Sequence, residues 1–260
     1  LGRQTNVTLQ LEKRFDFGLA LTGSYAWTDA KAGFEGTSSR AISNWQFHAT
    51  RGDIFSPELS RSFWEIEDRF NITASQNFRT GPLAHNVALF YTVQSGTPYS
   101  VMMGGDPNRD GYSSNDLLYV PNNASDIVLQ GATAAEFDAF LAWTGLDAYR
   151  GQVVARNSSF TPWNRSLDFH YDVELPISVV RTQLTFDVLN LINLIDSEKG
   201  IIRYVSNQSY TPLNYQGIDS ASGKPIYRTA FNGALGEGRA FSINDLRSRW
   251  QFKFGLRLSF

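Results

Sequence analysis

The final segment of the chain alternates without a break. Trp250, Phe252, Phe254, Leu256, Leu258 and Phe260 fall on one side, and Arg249, Gln251, Lys253, Gly255, Arg257 and Ser259 on the other. Successive side chains of a strand point to opposite faces, so this segment has one wholly apolar face and one face carrying three cations. A half-buried soluble strand seldom sets six large apolar groups against three cations. The pattern fits a strand with lipid on one side and a wet lumen on the other. That choice of solvent constrains the fold more than anything else in the chain, because lipid leaves unpaired backbone groups unsatisfied.

Membrane helices are excluded, since no stretch approaches the roughly 18 consecutive apolar residues that one needs. The period-2 signature instead recurs along the chain. Val7, Leu9 and Leu11 oppose Thr8, Gln10 and Glu12. Leu19, Leu21, Tyr25 and Trp27 oppose Thr22, Ser24 and Thr28, and Phe70, Ile72, Ala74 and Phe78 oppose Arg69, Asn71, Thr73, Ser75 and Asn77. Val87, Leu89, Tyr91 and Val93 alternate with polar or small residues, Phe90 being the exception. Leu167, Phe169, Tyr171, Val173 and Leu175 oppose Ser166, Asp168, His170, Asp172 and Glu174, and Leu184, Phe186 and Val188 oppose Gln183, Thr185 and Asp187. Shorter candidates lie near 200–206 and 226–231. Runs of about 9 to 11 residues cross a bilayer when tilted.

The connections alternate in length. Phe15-Asp16-Phe17, Arg79-Thr80-Gly81-Pro82 and Leu175-Pro176-Ile177-Ser178 read as tight turns, whereas 30–64, 98–160 and 207–247 are long. Short turns at one rim and long loops at the other characterise outer-membrane barrels, whose long loops face outside. The expectation is therefore an all-β fold: an antiparallel transmembrane β-barrel segment of about eight to ten strands covering residues 1–260, with long extracellular loops and one short loop helix. The chain opens Leu1-Gly2-Arg3-Gln4, without a secretion leader, and enters a strand almost at once, which reads as part of a larger barrel.

Composition narrows the function classes. A net charge of −2 points to no nucleic-acid partner, and the absence of cysteine excludes disulfides, thiolate catalysis and cysteine-ligated metals. Aromatic residues at 14% suit strands and interfacial belts.

Two features of the middle loop stand out. Thr133 and Glu136 have capping-box spacing, Phe137, Phe140 and Leu141 share a face, and Gly145 can stop the helix. Before it, Asp106, Asn108, Asp110 and the Tyr112 carbonyl reproduce the first half of a calcium loop, with Gly111 at the sharp turn, and Asp116 is a further candidate ligand that comes one residue before the twelfth position. The second half departs from an EF-hand, because Leu117 occupies the twelfth position. An Asx-rich turn, its carboxylates bonded to nearby N–H groups, explains the same residues without a metal. Bound Ca2+ would rigidify the loop. Elsewhere, His170 between Asp168 and Asp172 reads as part of a lumen-facing polar ladder. His48 and His85 stand alone, and Phe34, Trp45, Phe47, Phe55, Phe63 and Trp64 enrich the first long loop with rings that suit either ligand stacking or loop packing.

The stretch Asp106 to Pro121 (DPNRDGYSSNDLLYVP) is followed by Tyr149-Arg150-Gly151, Arg156-Asn157, Pro162-Trp163 at a strand start and Asp187-Val188-Leu189-Asn190-Leu191-Ile192-Asn193. In this order they resemble the C-terminal barrel region of TonB-dependent outer-membrane receptors, in particular the Oar-like group with carboxypeptidase-regulatory-like N-terminal domains. The resemblance runs from about residue 66 to the end, and the terminal aromatic Phe260 resembles the signal read by the barrel-assembly machinery. It implies a barrel of about 22 strands with a plugged lumen, in the outer membrane of a Gram-negative bacterium. Roughly the last third of that wall would lie here, with neither plug nor TonB box, so TonB would engage only an N-terminal region outside these residues. The implied role is energised uptake of an extracellular ligand, without catalysis. Two other classes remain: an outer-membrane enzyme or porin-like barrel, the former needing a partner for His48, and a soluble all-β binding module whose apolar faces meet each other.

Overall fold

In the computed structural model, which describes residues 2–177, 179–230, 235 and 240–260, the alternating segments are strands. In chain order they are β1 (Gly2–Arg14), β2 (Leu19–Ala32), β3 (Asp68–Thr80), β4 (Leu83–Gln94), β5 (Pro98–Gly104), β6 (Asn164–Leu175), β7 (Arg181–Leu189), β8 (Ser209–Ile218), β9 (Pro225–Thr229) and β10 (Gln251–Ser259). Two helices matter below, α1 (Ala41–Gln46) and α2 (Ala134–Thr144). The fold is all-β and mostly antiparallel.

The large sheet runs β1-β2-β3-β4-β6-β7-β10, every long pair antiparallel, with the short strand Ser60–Arg61 added beside β2. It is open: among the described residues nothing pairs with the outer edge of β1 or of β10. The links β1–β2, β3–β4 and β6–β7 are short and lie at one rim, while the long connections leave from the other. Gly18 closes the first turn with φ of +92°, and a Cβ there would meet the Asn77 carbonyl at 2.2 Å, so this position accepts only glycine. Part of the third expected turn, Ser178, lies outside the described residues, as does the last residue of the 226–231 candidate.

Register carries the alternation sideways. In an antiparallel pair, facing residues share a face. One row reads Leu11, Gly23, Ile72, Tyr91, Leu167. A second reads Leu21, Ala74, Leu89, Phe169, Val188, Phe252, and a third Val87, Tyr171, Phe186, Phe254. The same face is therefore mainly apolar from β1 to β10, interrupted by Lys13, Gln76, His85 and Arg165. Rings reinforce it: Tyr25 stacks on Phe70 at 4.6 Å, and Phe186 lies 5.0 Å from Phe254. The opposite face reads Ser24, Asn71, Thr92, Ser166 in one row and Ser75, Ala88, His170, Asp187, Lys253 in another. Phe90, the sequence exception, does fall on this polar face, between Thr73 and Asp168.

Among the described residues, none forms a second layer over the apolar face. Leu9 is 60% exposed, Leu11 69% and Phe254 81%. The dry core lies elsewhere. It is built from β5, β8, β9, α2 and their connections, with Val101, Leu118, Phe137, Leu141 and Leu213 fully buried, and it takes no residue from the seven long strands. Segments that sequence reading leaves as long loops thus hold a second sheet, in the order Ser159–Phe160, β5, β8, β9, Val128–Gln130. Its β5–β8 and β9–Val128 pairings are parallel. This second body, the cap, sits where the long connections leave the sheet.

The expected helix is α2. Thr133 Oγ1 accepts from the Glu136 N–H at 3.2 Å, Glu136 Oε2 accepts from the Thr133 N–H at 2.7 Å, and Gly145 ends the helix with φ of +71°. Its buried residues are Phe137, Phe140 and Leu141, so the helix is core to the cap and not merely laid on a rim.

Candidate functional site

The cap is joined to the sheet through charged and amide groups that no local sequence pattern pairs. Arg156, which is 7% exposed, donates from Nη2 to the Ala32 carbonyl at the end of β2 and to the Glu58 carbonyl at 3.3 Å. Its Nη1 lies 3.4 Å from His48 Nε2. Asn157 donates to the Arg61 carbonyl at 2.7 Å and accepts from Ser100 Oγ at 2.9 Å. Arg61 pairs with the buried Glu65 and with Glu67 at 3.0 Å, and its guanidinium lies 4.9 Å from the Phe160 ring. Among the described residues no carboxylate ion-pairs with Arg156, so its charge is solvated by carbonyl dipoles, and burial lowers its pKa.

Beside this junction lies a cavity of about 700 Å³ whose wall includes Glu35, Asn44, His48, Ser100, Arg156 and Asn157. The wall is rich in amides and hydroxyls and carries one guanidinium and one carboxylate, a set that suits a polar ligand. Burial first, and then Arg156, push the His48 pKa down to about 4, so the ring is neutral near pH 7. His48 packs on Phe34 at 4.8 Å. Its neighbours orient and bury it, and among the described residues none is bonded to it as a Ser-His or Asp-His pair. Of the other loop aromatics, Trp45 meets Phe55 edge-on at 5.2 Å and Phe63 lies 4.9 Å from Trp64, while Phe55 and Trp64 remain largely exposed.

The acidic loop is a set of turns bonded to its own backbone. Asp106 accepts from the Asp110 and Gly111 N–H groups, each at 3.0 Å, and Asp110 accepts from the Tyr112 N–H at 2.9 Å. Asn108 accepts from the Asp110 N–H at 3.0 Å and donates to the Gly52 carbonyl at 3.0 Å, tying the loop to the first long segment. Asn115, absent from the sequence expectation, donates to Asp110 Oδ2 at 2.7 Å and is fully buried. Asp116 is 4% exposed, paired through its backbone with Thr50 and Met103, and Tyr112 supplies an N–H to the turn. Burial pushes the Asp116 carboxyl up to about 7, with Asp110 and Asp106 adding to it. Among the described residues no three His, Cys, Asp or Glu side chains converge as a metal cluster.

On the polar face of the large sheet, His170 Nδ1 lies 2.6 Å from Asp187 and Nε2 lies 3.0 Å from Asp172. Gln183 donates to Asp172 at 2.5 Å, and Asp168 accepts from Ser166 at 3.0 Å. The bonds run along and across strands as a ladder. His85 lies at 2.9 Å from the Tyr171 hydroxyl. The Asp187–Asn193 motif has a structural role: Asn190, with φ of +53°, donates from its side chain to the Gly200 and Ser248 carbonyls at 2.9 and 2.7 Å, and its N–H reaches Asp168 at 2.7 Å. Arg150 likewise anchors the cap, through Asp138 at 2.7 Å and Asp147 at 3.1 Å.

Three comparisons, with protein-family models, with curated proteins and with solved structures, return no match for this chain. No helix among the described residues is long and apolar enough to cross a membrane, a result that says nothing about strands.

Proposed function

We propose that these residues form a C-terminal portion of the barrel wall of a TonB-dependent outer-membrane receptor of the Oar-like group, with the cap on the extracellular side. The observation that carries the reading is the uncovered apolar face spanning seven strands, backed by a continuous polar face. With strands about 4.8 Å apart and three to four apolar positions on each, the band projects over an area on the order of 600 Å², at the upper end of the largest patch a soluble monomer shows. Hydrocarbon is the solvent that suits it. Short links at one rim, long connections at the other, and the order of motifs from Asp106 to Asn193 support the same reading.

In this role the outer edges of β1 and β10 pair with further strands of the barrel, since lipid tolerates no open edge. Phe260, fully exposed at the end of β10, is offered to the barrel-assembly machinery. The ladder around His170 faces the lumen. The cavity at Arg156 and Asn157 meets an extracellular ligand, and gating belongs to a plug outside these residues. No chemistry is assigned to the chain.

The absence of cysteine makes a clean test possible. Single spin labels at Leu9→Cys, Ile72→Cys and Leu256→Cys, and at the polar-face positions Asn71→Cys and Thr73→Cys, are placed in the protein in native outer-membrane vesicles. Labels on the apolar face should relax with oxygen and be shielded from a water-soluble nickel chelate, with the reverse on the polar face. Equal access of the nickel reagent to both faces would remove the membrane reading.

A further inference from the structure

The acidic loop holds a surplus of oxygen acceptors. Asn115 is fully buried, and its Oδ1 has no hydrogen-bond partner. Its amide is held at the loop, because Nδ2 donates to Asp110 Oδ2 at 2.7 Å. Asp116 next to it is 4% exposed, and its Oδ2 also has no partner. None of Asp106, Asp110 and Asp116 makes an ion pair among the described residues, Arg109 of the same loop included; Arg51 is engaged with Glu58 at 3.6 Å and Arg156 with carbonyls. Buried oxygen without a donor is costly, and what relieves several such oxygens at once is a cation.

We infer that the loop is a binding site for a hard divalent cation of the calcium class, held by oxygens of Asp106, Asn108, Asp110 and Asn115 with the Tyr112 carbonyl, and with the buried Asp116 carboxyl next to them. The ligand set is all oxygen, which selects calcium or magnesium over zinc or copper. It is drawn from a flexible turn with amide and carbonyl members, which suits calcium's variable, larger coordination better than magnesium's strict octahedron. The carboxylates that accept backbone N–H groups keep further lone pairs for a metal. Two amides and a main-chain carbonyl among the five ligands explain why carboxylates alone do not converge here.

The site would act on the cap as a clamp. Asn108 bonds the Gly52 carbonyl at 3.0 Å, Thr50 N–H donates to the Asn115 carbonyl at 2.8 Å, and Leu117 N–H donates to the Thr50 carbonyl at 3.0 Å. An ion at the loop therefore stiffens the seam between the first and second long segments, which is also the wall of a smaller cavity of about 250 Å³ lined by Thr50, Gly52 and Asp53. This inference stands apart from the membrane reading and does not need it.

Titration calorimetry of the purified protein with Ca2+, and separately with Mg2+, tests the site. Saturable binding of one Ca2+, at least tenfold weaker in Asp110→Asn and in Asn115→Ala and unchanged in Asp138→Asn, is the expected result, with Mg2+ at least tenfold weaker than Ca2+. No saturable heat, or equal affinity in all variants, overturns it. Because Asp110 also shapes the turn, hydrogen exchange of the wild type is followed with and without Ca2+. Added protection confined to residues 50–53 and 106–117 upholds the site, and unchanged exchange there overturns it.

Discussion

The large sheet and the cap solve the same problem in opposite ways. Both are made of strands rich in apolar residues. In the cap, β5, β8 and β9 turn those residues onto α2 and its neighbours, and Val101, Leu213 and Phe137 become inaccessible. In the large sheet, Leu9, Leu256 and Phe254 stay exposed, with no described residue covering them, and polar residues fill most of the other side. The lesson, on the membrane reading proposed above, is that burial in this protein would have two solvents. Water drives the cap together by the hydrophobic effect, whereas the sheet would be completed by a medium that is already apolar and would need cross-strand hydrogen bonds more than a core.

Several substitutions would break or sharpen that contrast. The largest effect is expected inside the cap: Phe137→Ala removes a fully buried ring and should cost about 3 to 5 kcal/mol of cap stability, leaving the sheet intact. Hydrogen exchange resolved by segment reads this directly; equal loss of protection in β6 and β7 would mean that the two bodies are one cooperative unit. Next comes Leu256→Arg on the outward band. In a bilayer it should cost about 2 to 4 kcal/mol near the midplane, measured by unfolding in vesicles, whereas in water an exposed leucine is replaced at little cost. A neutral result in vesicles would erase the difference between the regions.

The smallest effect is at the seam. The His48 pKa lies near 4 in the folded state against about 6.5 unfolded, so the unfolded chain binds more protons between those values. The stability contributed by the neutral ring is complete above about pH 6.5 and is lost as pH falls towards 4, by about 2 to 3 kcal/mol. A His48→Gln variant should flatten the acid limb of the cap's stability profile over that window. If the two profiles run parallel, the ring is not held neutral by the junction.

Legibility followed range along the chain. Strand positions and faces were readable because they depend on neighbours two residues away: the run from Trp250 to Phe260 differs from β10 only at its ends, and Phe90 declared itself an exception before register placed it opposite Asp168. The helix α2 was readable for the same reason, its cap and stop lying within a dozen residues. The cap as a body was not. The parallel pairing of Ser209 with Ser100, and the contact of Arg156 with Ala32, join residues more than a hundred positions apart, and nothing in 98–160 or 207–247 marks them as partners. The acidic loop was partly visible: Asp106, Asn108 and Asp110 stood out by spacing, but Asn115 gained its place only through a bond to Asp110 in the folded turn.

Sequence by itself determined the strand faces, the rim of short turns, the capped helix and the calcium-like spacing, since each is set by local stereochemistry and short-period repetition. Tertiary structure alone decided that the long segments close over a dry core, that Arg156 and His48 meet at a seam, and that the apolar faces of seven strands align into one uncovered band. Those outcomes depend on register and on contacts between distant segments, and the free energy that selects them is shared across many side chains and written in no single stretch of the chain.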